Sequence, residues 1–179
     1  VSTTQITKIK TNGNVNFDNV FNSTQDHEVL LPFGVKVRNG YFINKFVDLS
    51  NVTINSSFDL EDIDISEAIL TNFKSNGNIK VNNNTILPDG YSVVNGYLFG
   101  PDVDLSNARF EYNNIDNYKK SSFYLHNVNL SNTNLTNIST NGIVYTSSDS
   151  ITLPIDYKIL NNHILGPNIT IRNLTTNKN

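Results

Sequence analysis

The sequence predicts an all-β, repetitive protein. Its apolar residues are mostly Ile, Leu, Val, Phe and Tyr, which suit pleated strands, while Ala is nearly missing and leaves little from which to build helices. Apolar positions alternate by two and three, a period of five that matches neither the threes and fours of an amphipathic helix nor the strict twos of a simple strand. A long phrase, LPDGYSVVNGYLFGPDVDLSN at 87–107, recurs at 31–51 as LPFGVKVRNGYFINKFVDLSN and at 153–173 as LPIDYKILNNHILGPNITIRN.

The 179 residues are enough for one domain, and no change in composition divides them, so 1–179 is expected to be a single unit. Charged residues make up only 16%, while Asn alone supplies roughly one residue in six, with Ser and Thr close behind. The surface is therefore polar but largely uncharged. A net charge of -3 and a pI near 5.5 argue against direct nucleic-acid binding, which needs clustered Lys and Arg to displace counterions. Without cysteine there are neither disulfides nor thiolate metal sites. No apolar run is long enough for a membrane span or a signal-peptide core. The chain starts at Val1, contains no Met and cuts its repeats at an arbitrary point, so it is read as a segment of a larger protein. Asn-x-Ser/Thr triplets such as Asn22-Ser-Thr and Asn83-Asn-Thr are read as chance in so Asn-rich a chain.

Along the chain, residues 1–20 form an irregular head or cap. In the Leu-Pro phrase, Pro88 presets a turn, Gly90 and Gly96 permit positive φ, and Gly100-Pro101 makes a third corner, with short β runs YSVV and YLF between them. A second phrase, SSFDLEDIDISEAILTNFKSNGNI from Ser56, returns as SSFYLHNVNLSNTNLTNISTNGIV from Ser121. Within FDLEDIDISEAILTNF the inward positions are Phe58, Leu60, Ile63, Ile65, Ala68, Leu70 and Phe73, two of every five. The interval between the two Ser-Ser-Phe phrases exceeds that between the first two Leu-Pro phrases, which places an insertion before Ser121. It is assigned to a polar loop at 111–119, because an unbroken count of five would turn Lys120 inward, where an unpaired charge is costly. Residues 172–179 form a polar tail.

VDLSN at 47 and 103, IDISE at 63, AILTN at 68, VNLSN at 128 and TNLTN at 133 resemble the motif of the pentapeptide-repeat proteins: a small or apolar residue, Asn or Asp, Leu or Phe, then two polar residues. The resemblance covers most of 45–75 and 101–140. It implies a right-handed parallel β-helix of square cross-section, four pentapeptides per coil, forming a short rod. The Leu-Pro phrase is similar to linking coils of that family, of the form LPxGYxxxNGYxxGP, and is expected to be one longer-sided coil. Val, Ile and Thr often replace the family's small residue, and one residue is inserted at Ser57.

Chemistry is harder to assemble. His27, His126 and His163 have no partner at metal-ligand spacing, and His163 takes the place of Tyr41 and Tyr97 in the sister phrases, a packing position. The run DLEDIDISE puts Asp59, Glu61, Asp62, Asp64 and Glu67 on the outside of successive sides, where they are read as a solvated face able to meet a partner rather than as a calcium loop of defined ligand spacing. No paired carboxylates in a cleft and no nucleophile motif are visible, so neither an enzyme nor a cofactor is expected. The 111–119 loop carries Tyr112 and Tyr118 and is absent from the sister copy, which makes it the other candidate interaction surface.

These readings favour a rigid structural or interaction module of a larger assembly, such as a virion, a fibre or a cell-surface structure. Its partners would be proteins, including further copies along or beside the rod, on a virion or extracellular surface rather than in the cytoplasm. The alternative carried by the resemblance is a mimic of duplex DNA that binds a type II topoisomerase. Ice or glycan binding on Thr and Asn ladders is a third reading, disfavoured by the irregular register.

Overall fold

The computed structural model describes residues 34–110, 123–125, 128–140, 144–146, 151–161 and 163–171, with Lys10, Thr11, Gly13 and Leu31. The expected head beyond Lys10, Thr11 and Gly13, the 111–119 loop with its two tyrosines, and the 172–179 tail lie outside them. The described residues are all β, in strands of two or three residues grouped in small sheets, with no helix.

Two kinds of pairing account for these sheets. In the first, the chain returns alongside itself in parallel. Thr53–Ile54 pairs with Lys74–Ser75, and Phe58–Asp59 with Ile79–Lys80, at one common interval of four fives plus one. Phe123–Leu125 pairs with Val144–Thr146 at the same interval. Elsewhere the interval lengthens to six fives: single bridges join Lys74 to Asp104 and Asp104 to Asn134, and Arg109–Phe110 pairs with Ser139–Thr140. Thr53, Lys74, Asp104 and Asn134 thus form one column through four passes of chain.

The odd residue in the shorter pass has a structural origin. The extra residue noticed at Ser57 recurs one pass later in Asn76-Gly77-Asn78, since Ile54 and Phe58 keep a common interval to Ser75 and Ile79. Asn76 Nδ2 donates to Asn55 Oδ1 across the two widened corners at 2.8 Å. An insertion matched by its neighbour leaves the ladder intact.

The corners explain the abundance of Asn. Val52 N–H donates to Leu49 O, closing a four-residue turn in which Asn51 has φ 59. The same turn recurs at Leu70–Phe73, Leu105–Ala108, Leu130–Thr133 and Leu135–Ile138, with Asn72, Asn107, Asn132 and Asn137 at φ between 55 and 61. This is type II geometry, whose third residue must enter the left-handed region, and Asn tolerates that better than other residues with a side chain. Asn or Asp three residues earlier completes the corner by accepting the N–H two positions on, as Asp48 does from Ser50 at 2.9 Å and Asn129 from Ser131 at 2.9 Å.

The second kind of pairing is the antiparallel hairpin, which corrects the reading of the Leu-Pro phrase. Ser92–Val94 turns back onto Tyr97–Phe99, as Lys36–Arg38 does onto Tyr41–Ile43 and Lys158–Leu160 onto His163–Leu165. The phrase is therefore not a coil running one way along longer sides. Asn95 and Gly96, at φ 49 and 78, form the two-residue turn with both residues left-handed that tight hairpins prefer, and Asn39-Gly40 repeats it.

Phe58, Phe73, Phe99, Leu49, Ile65, Leu105, Leu130 and Ile138 are almost fully enclosed within a single apolar cluster. The inward positions expected for 58–73 are buried, except that Ala68 is partly exposed. Aromatic edges link the hairpins to this interior: Tyr41 meets Phe58 at 6.3 Å and Tyr97 meets Phe110 at 5.7 Å, both edge to face.

Gly96 stands at a close approach of backbone to backbone, because a Cβ there would lie 2.1 Å from Gly77 O. Gly96→Ala is expected to cost about 3 kcal/mol or more, since backbone must move as well as a left-handed residue gain a side chain. Gly34→Ala, where φ is 79 but nothing lies within 4 Å, should cost about 1–2 kcal/mol. Urea unfolding of the two variants measures the difference, and equal losses would mean that the Gly96–Gly77 approach is unimportant.

Candidate functional site

The acidic run is held on corners, and each of its three aspartates has its own local engagement. Asp59 Oδ1 accepts from Glu61 N–H and Asp64 Oδ1 from Ser66 N–H, both at 2.9 Å. Asp62, left-handed at φ 56, receives Asn84 Nδ2 at 2.7 Å and Asn82 Nδ2 at 3.0 Å on one carboxylate oxygen. These donors hold the Asp62 carboxyl below the usual carboxylate range. At Asp64 burial pushes the other way, but Ser66 N–H and hydroxyl and the nearby Lys45 charge outweigh it, so its carboxyl also stays low. Glu61 remains exposed beside them.

Three cations that the sequence reading did not single out complete this patch. Lys36 Nζ donates to Asp62 O at 2.8 Å, Arg38 Nε lies 3.8 Å from Asp59, and Lys45 Nζ lies 3.0 Å from Glu67. The Glu67 bond raises Lys45 above its ordinary value. Two of these cations come from the first strand of the first hairpin, which lies against the acidic segment. Asn39, at the hairpin tip, donates to Ser57 O at 2.6 Å and Ser56 Oγ at 3.0 Å. The segment 56–67 is thus an internal interface, gripped by 36–45.

A signal for this was present in the sequence. The first Leu-Pro phrase carries Lys36 and Arg38 where the second has Ser92 and Val94, and the acids occur only in the first of the two Ser-Ser-Phe phrases. Charge appears in, and vanishes from, both partners together.

The other expected positions are placed as follows. His163 is buried at the position of Tyr41 and Tyr97, with Nδ1 unpartnered among the described residues. Among the described residues no group of three or more His, Cys, Asp or Glu could hold a metal, and no helix is long and apolar enough to cross a membrane. An open groove of about 470 Å³ runs along 81–93, lined by Ile86, Leu87, Pro88, Tyr91 and one carboxylate, Asp89. Tyr91 is spent there on structure: its hydroxyl donates to Pro101 O at 2.9 Å, and burial pushes its ionisation upward.

Acid should undo the corners. Asp48 is lowered by the Ser50 hydroxyl and N–H, and Asp104 by the Ser106 hydroxyl and N–H with Lys74, which outweigh its burial. A carboxylate lowered on folding stabilises fully above its unfolded pKa of about 4 and loses that contribution as pH falls through the lower folded value. The melting temperature is therefore expected to hold between about pH 7 and 5 and to fall steadily below about pH 4. Asp62→Asn, which keeps a left-handed-tolerant residue, should flatten part of that fall; an unchanged acid profile would show that Asp62 is not engaged. Compared with protein-family models, curated proteins and solved structures, the chain matches none.

Proposed function

We propose that the chain is a non-enzymatic structural and interaction module: a right-handed parallel β-helix of the pentapeptide-repeat type, forming a rigid element of a larger assembly such as a virion, fibre or cell-surface structure. The observation that carries this reading is the Thr53–Lys74–Asp104–Asn134 column, in which successive passes lie in parallel register. Parallel strands joined by crossovers take the right hand almost without exception. Stacked at about 4.8 Å per strand, they extend along one axis and bind each pass only to its neighbours.

The side-chain chemistry supports the same reading. Lys74 Nζ is bonded to Asp104 Oδ2 at 3.3 Å and Ser106 Oγ at 2.6 Å, and Asn134 Nδ2 to Asp104 Oδ1 at 3.1 Å. Polar groups that a catalyst would aim at a substrate are here spent on the column. The acidic run likewise faces Lys36, Arg38 and Lys45, which weakens the dense, unpaired negative charge that a mimic of duplex DNA requires.

The cysteine-free chain permits a direct test. Cysteine pairs at Thr53/Lys74 and at Asp104/Asn134 should each oxidise to a disulfide without loss of folding, because register partners fall within the roughly 4.4–6.8 Å Cα range of the bond. A Thr53/Asn134 pair, three steps apart, should remain reduced. Light scattering should then show end-to-end or lateral association as concentration rises. A strictly monomeric chain that inhibits DNA supercoiling by gyrase would overturn the assembly reading in favour of topoisomerase binding.

A further inference from the structure

Asn followed by Gly is a dipeptide open to self-modification, because the backbone nitrogen after Asn lies within reach of the side-chain amide and Gly has no side chain to block the approach. The sequence holds five such pairs, at 12–13, 39–40, 76–77, 95–96 and 141–142. The first and last asparagines lie outside the described residues.

Two of the others form a matched comparison. Asn39-Gly40 and Asn95-Gly96 both make two-residue hairpin turns on the same backbone, with φ 49 at each Asn and 78 at each Gly. Both asparagines are exposed, both glycines are half-buried, and a tyrosine follows each pair. What differs is the hold on the side chain. Asn39 Nδ2 donates to Ser57 O at 2.6 Å and to Ser56 Oγ at 3.0 Å, so both amide hydrogens are engaged and the side-chain carbonyl carbon is kept from turning toward Gly40 N. The strand leading to it is clamped as well, by Arg38 on Asp59 and Lys36 on Asp62 O. Asn95 makes no side-chain hydrogen bond with a described residue, and Ser92 and Val94 replace both cations. At the remaining pair, Asn76 Nδ2 is held by Asn55 Oδ1 at 2.8 Å and the Tyr97 ring lies over Gly77.

We propose that Asn95 is a site of self-modification in the folded chain and that Asn39, in the same turn, is protected by its contacts with Ser56 and Ser57. Gly96 N loses its proton to water and bonds to Asn95 Cγ, the Cγ–Nδ2 bond breaks, and ammonia leaves a five-membered succinimide. Water that breaks the new N–Cγ bond gives aspartate. Water that breaks the original peptide C–N bond gives isoaspartate, whose backbone runs through Cβ and Cγ and is one carbon longer. The net change exchanges water for ammonia and needs no other reactant. Aspartate suits the turn, since Asp62 and Asp102 already stand at φ 56 and 59. Isoaspartate does not. Gly96 O accepts from Ile79 N–H at 3.0 Å and the Gly96 Cα passes close to Gly77 O, so a longer turn releases the second hairpin from the pass before it.

The full chain is incubated folded, and in parallel in urea, at mildly alkaline pH. Peptide mapping by mass spectrometry follows Asn39 and Asn95, and isoaspartyl methyltransferase scores isoaspartate. In the folded chain Asn95 is expected to convert at least about tenfold faster than Asn39. In urea the two Asn-Gly-Tyr sequences should react alike. Ser56→Ala, which frees one Asn39 N–H, should speed Asn39 and leave Asn95 unchanged. Equal rates in the folded chain, a ratio that persists in urea, or an Asn39 rate that ignores Ser56→Ala would each overturn the proposal. The isoaspartyl chain recovered from the incubation should melt below Asn95→Asp; equal melting would refute release of the hairpin.

Discussion

The tight turns at Leu49–Val52, Leu70–Phe73, Leu105–Ala108, Leu130–Thr133 and Leu135–Ile138 interrupt strand pairing, and the rest of this structure depends on how the backbone groups at such corners are satisfied. Asn and Asp answer the need twice. One of them enters the left-handed region that the turn demands, and another, three residues earlier, accepts the N–H two positions on. Stacking then links corner to corner, as Asn72 Nδ2 donates to Asn51 Oδ1 at 3.1 Å. Asn51 and Asn72 are exposed, so water competes for these groups and each such bond adds only about 0.5–1.5 kcal/mol, repeated from corner to corner. The Asn-rich composition is the chemical consequence of the geometry.

This shows why the sequence reveals the sides better than the ends of each phrase. Burial of Phe58, Leu60, Ile63, Ile65, Leu70 and Phe73 follows from a period of five that anyone can count. The hairpins were equally available, since Asn95-Gly96 between two short apolar runs is a strong local signal for a two-residue turn. A corner at Gly96 follows only if the repeat governs the whole phrase. Local turn chemistry overrides the global period there. The matched widening at 55–57 and 76–78 was half legible: the first was noticed, while its significance depends on a neighbour one full pass away.

The acidic run shows a different limit. Taken one element at a time, five acids look like a free surface. The cations that meet Asp59, the Asp62 carbonyl and Glu67 sit on and just after the preceding hairpin, a full pass or more earlier in the chain, and the return of that hairpin cannot be inferred from spacing alone. Copy-to-copy comparison carries the missing information, because Lys36 and Arg38 disappear from the second hairpin where the acids disappear from its following segment. In a repetitive chain the differences between copies are the informative positions, since the shared positions are fixed by the common frame.

Those differences also address a hazard of the architecture. Passes that share a frame can pair with the wrong neighbour at little cost in apolar burial, because each offers a similar row of Leu, Ile and Phe to the interior. A hairpin bearing Arg38 placed on the second Ser-Ser-Phe phrase would be set against the position of Tyr124 instead of Asp59, and Val94 on the first phrase would strand Asp59 beside an apolar residue. Each exchange removes a contact present in the native register and desolvates a charge. The ion pairs need not add much stability to matter, since exposed pairs of this kind contribute at most about 1 kcal/mol. Their effect lies in the gap between the native stacking order and its slipped alternatives. Charge that looks decorative on one copy therefore identifies which pass belongs next to which.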